Sequence, residues 1–246
     1  MLRLLTTIVE KGQRTLKGYR IQSRRGIVNP VTDRFPILFL MSSIPGSILI
    51  ASNNVHKLQE FREIFTQFGA GTTGLLTPQA EGLSLDPEET ATTYLGNARI
   101  KARAFHSIRP DLWVLADDSG LEVDALGGGP GIRSARYHAS APNRDGCATL
   151  LDAMAGVPPD SRTARFRAVL VLITSEGQEQ VFEGLCEGSI GFHKRGDSGF
   201  GFDPVFRVAG DARHMAELPS EEKHRISHRG RATQQLIAQL RLGTSR

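Results

Sequence analysis

The chain has 246 residues, a formal net charge of +4 and the apolar, charged and glycine content of an ordinary globular protein, long enough to bury a core. No run of about 18 apolar residues occurs, which argues against a membrane-spanning helix. Its two cysteines, Cys147 and Cys186, are far apart and lack metal-ligand spacing. That argues against a disulfide framework or a zinc site and fits a reducing, intracellular setting.

Residues 1–46 carry eight Lys/Arg against Glu10 and Asp33, or +6. The remaining 200 residues therefore carry 30 − 8 = 22 basic and 26 − 2 = 24 acidic side chains, or −2. The basic character belongs to this first segment and is not evidence that the folded body binds nucleic acid. Three readings fit the segment: an organellar transit sequence, a basic tail, or upstream sequence with Met41 as the working start. The last is preferred, and the segment is expected to be disordered or loosely packed.

The body opens with Ile48–Ala51 as a short apolar strand. Asn54 is a good helix N-cap, and Leu58, Phe61, Phe65 and Phe68 follow at helical spacing until Gly69. Ser52, Asn53, Asn54 and Lys57 stand at this helix mouth. Helix N-termini attract anions, so a cation in the first turn suggests a phosphate site, against the plainer reading of a solvated lysine. Residues 72–85 read as loop plus a weak strand. Pro87, Glu88 and Glu89 read as the first turn of a helix running to about Ile108, with Asn97 and Lys101 one turn apart on one face.

Leu112–Ala116 reads as a buried strand ending at Asp117 and Asp118, with a tight turn at Ser119-Gly120. A short alternating strand (Leu121, Val123, Ala125) and a Gly-Pro loop over 127–131 come next. Asp117, Asp118, Glu122 and Asp124 place four carboxylates within eight residues. Their repulsion calls for a cation or proton, and hard cations prefer carboxylate oxygens. A polar hairpin with solvated acids reads the same stretch equally well.

Further on, residues 143–155 read as a helix packed by Leu150, Leu151 and Met154. Residues 166–174 and 180–190 read as a long antiparallel hairpin. KRGDSGFGFD, from Lys194 to Asp203, is a Gly-rich loop carrying Phe200 and Phe202, a surface suited to base stacking or to simple core anchoring. Val205-Phe206 reads as a short strand and residues 221–225 as a helical turn. Ser227 caps a last helix with Ala232, Leu236 and Leu240 four apart, and His228 and Arg229 sit at its start.

The chain lacks a P-loop, a dinucleotide-binding G-x-G-x-x-G, a G-x-S-x-G elbow and an H-E-x-x-H. What it does carry is an ordered set of blocks. SNNVHKLQE resembles the T/S-x-N-x-x-K opening of the Ham1-like inosine triphosphate pyrophosphatase family. PEETATTYLGNARIKA, LADDSGLEVDALGGGPGIRSARY, GFGFDPVF and EEKHRISHRGRA resemble its other blocks, in the same order. The likeness spans residues 48–242, strongest over 115–137, and excludes 1–46.

The resemblance implies an α/β fold: an elongated, mixed, twisted sheet flanked by helices, with two lobes and a central cleft, over residues 47–246. It implies Mg²⁺-dependent hydrolysis of non-standard purine nucleoside triphosphates (ITP, dITP, XTP) to the monophosphate and pyrophosphate, in a cytoplasmic homodimer. Ser52, Asn54, Lys57 and Lys101 then contact the triphosphate, with Asn53 beside them. Asp118 is the general base near Mg²⁺, Glu89 a second acid at the metal with Glu88 as the neighbouring register, and Ser119 lies at the substrate. Phe200, Gly201, Phe202, Asp203, Lys223, His228 and Arg229 form the base pocket. Phe202 stands where many relatives have Tyr, and Gly96 where many have Glu.

Two other readings are set against this one: a pyrophosphatase for modified pyrimidine nucleotides, and a non-catalytic nucleotide-sensing or RNA-binding module. The mildly acidic body argues against the module, since phosphate contacts dominate nucleic-acid affinity.

Overall fold

The computed structural model describes residues 46–70, 73–140 and 145–242. The expectation of a disordered extension over 1–46 lies outside these residues, Gly46 apart.

The elements run β1 (Ser47–Ile50), α1 (Val55–Gln67), β2 (Gly74–Leu76), α2 (Tyr94–Ile108), β3 (Trp113–Val123), β4 (Gly129–Pro130), α3 (Ser134–Ser140), α4 (Gly146–Ala153), β5 (Thr163–Ile173), β6 (Glu179–Ile190), β7 (Phe206–Val208), α5 (Ser220–Ile226) and α6 (His228–Leu242). One seven-stranded sheet has the order β2-β1-β3-β5-β6-β7, with β4 also on β3. β1 is parallel to β2 and β3, and every later pairing is antiparallel. The mixed sheet with flanking helices is the expected α/β class.

Side-chain alternation along β3 decides what each helix covers. Trp113 and Leu115 pack with Ile48, Ile50, Phe61, Phe65 and Leu236 under α1 and α6. Val114 and Ala116 face the other way, onto Ala98, Ala102 and Phe105 of α2. Beyond the middle of β3, Leu121 and Val123 join a separate cluster with Leu150, Phe166, Phe206 and Met215. These clusters give two lobes that share the long strands, with the middle of β3 between them.

Several predicted elements stand as expected. Asn54 caps α1, its Oδ1 accepting from the N–H groups of His56 (3.0 Å) and Lys57 (3.2 Å). Gly69 follows α1 with φ +75°. β5 and β6 form the long hairpin, in register from Thr163↔Ser189 to Ile173↔Glu179. Ser227 caps α6, its Oγ accepting from Gly230 N–H at 3.1 Å.

Four expectations are corrected. Ser119-Gly120 is not a turn, because β3 runs unbroken through it. Gly120 answers a packing need instead: a Cβ there would lie 2.2 Å from the Gly131 carbonyl oxygen. Pro87, Glu88 and Glu89 do not open α2. Thr93 does, its Oγ1 accepting from Gly96 N–H at 3.1 Å, and the preceding segment is non-helical. α4 begins after Asp145, which caps Ala148 N–H at 3.0 Å. Val205 belongs to a 3₁₀ turn containing Pro204, and β7 starts at Phe206.

Candidate active site

The site grows from an unpaired stretch of strand edge. β1 pairs with β3 only as far as Leu115, and β4 takes up the same edge at Glu122. Between them, among the described residues, Asp117–Gly120 has no strand partner on that side. The Asp117 carbonyl oxygen accepts from Lys101 Nζ at 2.8 Å and Lys57 Nζ at 3.4 Å. An unmatched backbone acceptor would be costly here, and two lysines satisfy it.

The strand's alternation sends the two adjacent aspartates to opposite faces. Asp117 continues the Leu115 face, toward α1 and α6. Its Oδ2 accepts from Arg229 Nε (3.0 Å) and Nη2 (2.8 Å) and lies 3.1 Å from Lys57 Nζ. Burial works to raise its pKa, but Arg229, Lys57 and Lys101 overcome it and hold the carboxyl far below the usual carboxylate range. Of the two readings of Asp117, a supporting or a solvated acid, the solvated one is corrected: Asp117 is buried and paired with Arg229 and Lys57.

Asp118 continues the Ala116 face, toward α2. Lys101 Nζ is 3.1 Å from its Oδ1, and Asn97 Nδ2 is 3.4 Å from its Oδ2. Burial raises its pKa and the lysines only partly oppose this, so the two neighbours are pushed apart. Lys101 also donates to Glu89 Oε1 at 2.8 Å. Glu89 is half-buried and Glu88 exposed, so geometry brings Glu89, not Glu88, to the cluster. Glu122 and Asp124 lie apart from it, paired with Arg167 and Arg165.

A cavity of about 320 Å³ opens over this edge. Its lining includes Asn54, Lys57, Glu89, Asp118 and Ser119 as well as Phe200, Gly201, Phe202, Asp203, Lys223, His228 and Arg229, and Arg229 Nη2 donates to Ser119 Oγ at 2.8 Å. Burial lowers the Lys57 pKa, with Asp117 opposing. Burial also works to lower the Lys101 pKa, but Asp118 and Glu89 outweigh it, so Lys101 keeps its charge firmly. Ser52 and Asn53 are not brought to the cavity wall. Ser52 Oγ accepts from Asn54 N–H at 3.2 Å, and Asn53 Nδ2 donates to the Leu85 carbonyl at 3.0 Å. Lys101 meets the cleft through the two carboxylates it bridges rather than by lining it.

At the aromatic end, Gly199 has φ +75°, and a Cβ there would sit 2.1 Å from Asp203 Oδ2. That close approach lets Asp203 accept from Phe200 N–H (2.9 Å) and from Lys223 Nζ (2.7 Å). Phe202 is buried and belongs to the core cluster of its lobe, so a phenol in its place would need a polar partner there. Phe200 is more open and stacks on His56, with ring centroids 5.3 Å apart and planes 16° apart. His228 stacks on Phe166 at 4.8 Å and 13°. Burial, reinforced by Arg229, pushes its pKa down to about 3, so it is neutral, and its Nδ1 has no hydrogen-bond partner among the described residues.

Two titratable side chains of the lining, Glu60 and His56, are not among the residues expected from the sequence. Glu60 is buried and pairs with Lys223 Nζ and Arg229 Nη1, both at 2.5 Å. It lies three residues after Lys57 on the same helical face, a signal the sequence does contain. His56 carries no such signal, since its neighbour Phe200 lies in a distant loop.

Hard oxygen donors are the right chemistry for Mg²⁺, and Asp118 and Glu89 supply two carboxylates brought together on the Lys101 ammonium. Among the described residues no three His, Cys, Asp or Glu side chains gather as a metal cluster. A two-carboxylate set fits a cation that keeps waters and takes phosphate oxygens for its remaining positions.

Fold and site together define a mixed-sheet α/β protein whose cleft combines lysines, carboxylates and a ring-stacking loop at a free strand edge. The chain belongs to the Ham1 family, which it matches over residues 48–239. It is 43% identical over 198 residues to the dITP/XTP pyrophosphatase of Methylococcus capsulatus, covering 79% of this chain and 96% of that one. The same activity names a Symbiobacterium thermophilum relative, 42% identical over 193 residues, with 78% and 94% covered. The HAM1 protein structure from Coxiella burnetii superposes with a TM-score of 0.68 at 36% identity, over 79% of this chain and 98% of that one. The Ham1 protein of Staphylococcus aureus gives 0.67 at 36% identity, with the same coverage.

Proposed function

We propose that this protein hydrolyses non-standard purine nucleoside triphosphates (dITP, ITP and XTP) to the monophosphate and pyrophosphate, clearing them from the nucleotide pool. The observation that carries the reading is one cleft lined by Lys57, Asp118 and Glu89 together with Phe200, Lys223, His228 and Arg229. Near-full-length relatives named for this activity support it.

In this reading Lys57 and Lys101 hold the charge of the β- and γ-phosphates, with the capped mouth of α1 beside them. Asp118 lies at the α-phosphorus, where it orients the attacking water and accepts its proton. An ordinary aspartate is a weak base at neutral pH, and its raised pKa improves the match. Asp118 and Glu89 would hold Mg²⁺, which when bound supplies charge neutralisation at the phosphates and acidifies water. Stabilisation of the departing pyrophosphate is mainly electrostatic, from groups already placed by the fold.

Phe200 offers a stacking face, and His228, whose Nδ1 has no partner among the described residues, offers a donor for a 6-keto oxygen, with Arg229 next to it in sequence and held by Asp117, Glu60 and Ser119. Such donors accept hypoxanthine and xanthine and are left unmatched by the 6-amino group of adenine. Ser52 and Asn53 act, if on the phosphates, only after giving up their present loop bonds. The same reading makes the enzyme a cytoplasmic homodimer with residues 47–246 as its catalytic domain. Among the described residues no helix is long and apolar enough to cross a membrane. Phosphorus NMR of the products of ITP turnover with Mg²⁺ tests the reaction. Monophosphate and pyrophosphate are expected, and diphosphate with orthophosphate would contradict it.

A further inference from the structure

Asn97 is completely buried on α2, one turn before Lys101, and both ends of its amide are engaged. Its Oδ1 accepts from the Ala91 backbone N–H at 3.0 Å, and its Nδ2 donates to Asp118 Oδ2 at 3.4 Å. The amide orientation is not free. A backbone N–H can only donate, so the oxygen must face Ala91 and the NH₂ must face Asp118. The two oxygens of Asp118 thus have different partners: Oδ1 is held by the Lys101 ammonium at 3.1 Å and Oδ2 by a neutral amide.

Gripped at one oxygen, a carboxylate can swing about its terminal torsion, which is broad for Asp. Gripped at both, its plane is set. Lys101 cannot supply the second point, because its ammonium is already shared with Glu89 and the Asp117 carbonyl. The same asparagine ties down the segment that carries Glu89, two residues before Ala91. Gly96 gives that tie its room: a Cβ at position 96 would lie 2.5 Å from the Ala91 Cβ, so a side chain there would displace the segment.

We propose that Asn97 is a positioning residue for the hydrolysis. It fixes the rotation of the Asp118 carboxylate and, through Ala91, keeps Glu89 in register with it. The inference rests on the reading of Asp118 as the group at the attacked phosphorus.

A double-mutant cycle between Asn97 and Asp118 tests it, with kcat and KM for ITP in Mg²⁺ and thermal melting of each variant. Asn97→Asp keeps the shape and the acceptor for Ala91 N–H but removes the donor to Asp118. A misoriented catalytic group costs on the order of 100-fold, so kcat is expected to fall about 10- to 100-fold, with KM changing less than about threefold. Asn97→Leu removes both bonds without adding charge, and serves if Asn97→Asp fails to fold. In an Asp118→Asn background the same Asn97 substitution is expected to cost less than about threefold, because coupled residues do not add. Wild-type kcat in the folded Asn97 variants, or full additivity with Asp118→Asn, overturns the proposal. If Asp118→Asn alone keeps wild-type kcat, the failure lies with the reading of Asp118 instead.

Discussion

Asp117 and Asp118 are sequence neighbours that point to opposite faces of one strand, Asp117 onto Arg229 at 2.8 Å and Asp118 onto Lys101 at 3.1 Å. Their pKa values move in opposite directions for that reason. Asp117→Asn and Asp118→Asn are therefore expected to fail differently. Asp118→Asn should keep the wild-type melting temperature and lose about 100-fold or more in kcat, as loss of a general base does. Asp117→Asn leaves Arg229 and Lys57 short of a buried counter-charge and should lose about 3 kcal/mol of stability. Urea unfolding alongside ITP turnover separates the two; equal stability losses would contradict the division of roles.

The pH dependence of stability falls into two windows. His228 ionises near 6.5 when unfolded, but burial, then Arg229, takes it down to about 3 in the fold. Between these values the unfolded chain binds a proton that the folded one does not. The stability it contributes is full above about pH 6.5 and is lost as pH falls toward 3. For Glu60, burial raises the pKa, but Arg229 and Lys223 more than reverse this and bring it from 4.5 to about 2. Its contribution is full above about pH 4.5 and is lost toward 2. Urea midpoints measured against pH should flatten between about 6.5 and 4.5 in His228→Asn and below about 4.5 in Glu60→Gln. Curves parallel to wild type would contradict the assignment.

The base end should separate affinity from discrimination. Base–aromatic stacking is worth about 1–3 kcal/mol and depends little on which base stacks. Phe200→Ala should therefore raise KM for ITP, dITP and XTP by a similar factor, about tenfold. His228→Ala should instead narrow the ratio of kcat/KM for ITP over ATP. Steady-state kinetics on all four nucleotides reads both effects, and a Phe200→Ala variant that changes only the ITP:ATP ratio would reverse the two roles.

Gly96 offers a test of local packing. A side chain at this position must displace Ala91, and overpacking costs about 1–3 kcal/mol. Gly96→Ala should lower the unfolding midpoint accordingly and reduce kcat through the Glu89 segment. An unchanged midpoint would mean that the segment shifts freely.

What the sequence made legible follows the range of the interactions involved. Asn54 at the head of an apolar helical repeat, and the β5–β6 alternation, are local signals, and both elements stand where expected. Ser119-Gly120 looked like a turn because glycine most often marks one, whereas here it makes room for the Gly131 carbonyl crossing the strand. Glu88 and Glu89 looked like helix-start acids, but Thr93 supplies the stronger cap. The aspartates of β3 could not be recognised as strand interior from periodicity. Asp117 is offset by Lys57, sixty residues before it, and by Arg229, 112 residues after it, and Asp118 by Lys101 on a different element. Glu60 shares a helical face with Lys57, but the partners that make it a buried acid, Lys223 and Arg229, lie at the far end of the chain.

The most direct measurement is kcat/KM with Mg²⁺ for ITP, dITP and XTP against ATP, GTP and the pyrimidine triphosphates. The cleft predicts that ITP, dITP and XTP exceed ATP and the pyrimidine nucleotides by about 100-fold or more, the discrimination expected when matched polar groups are left unpaired by the wrong base. Equal rates across the set, or a preference for a pyrimidine nucleotide, would contradict it.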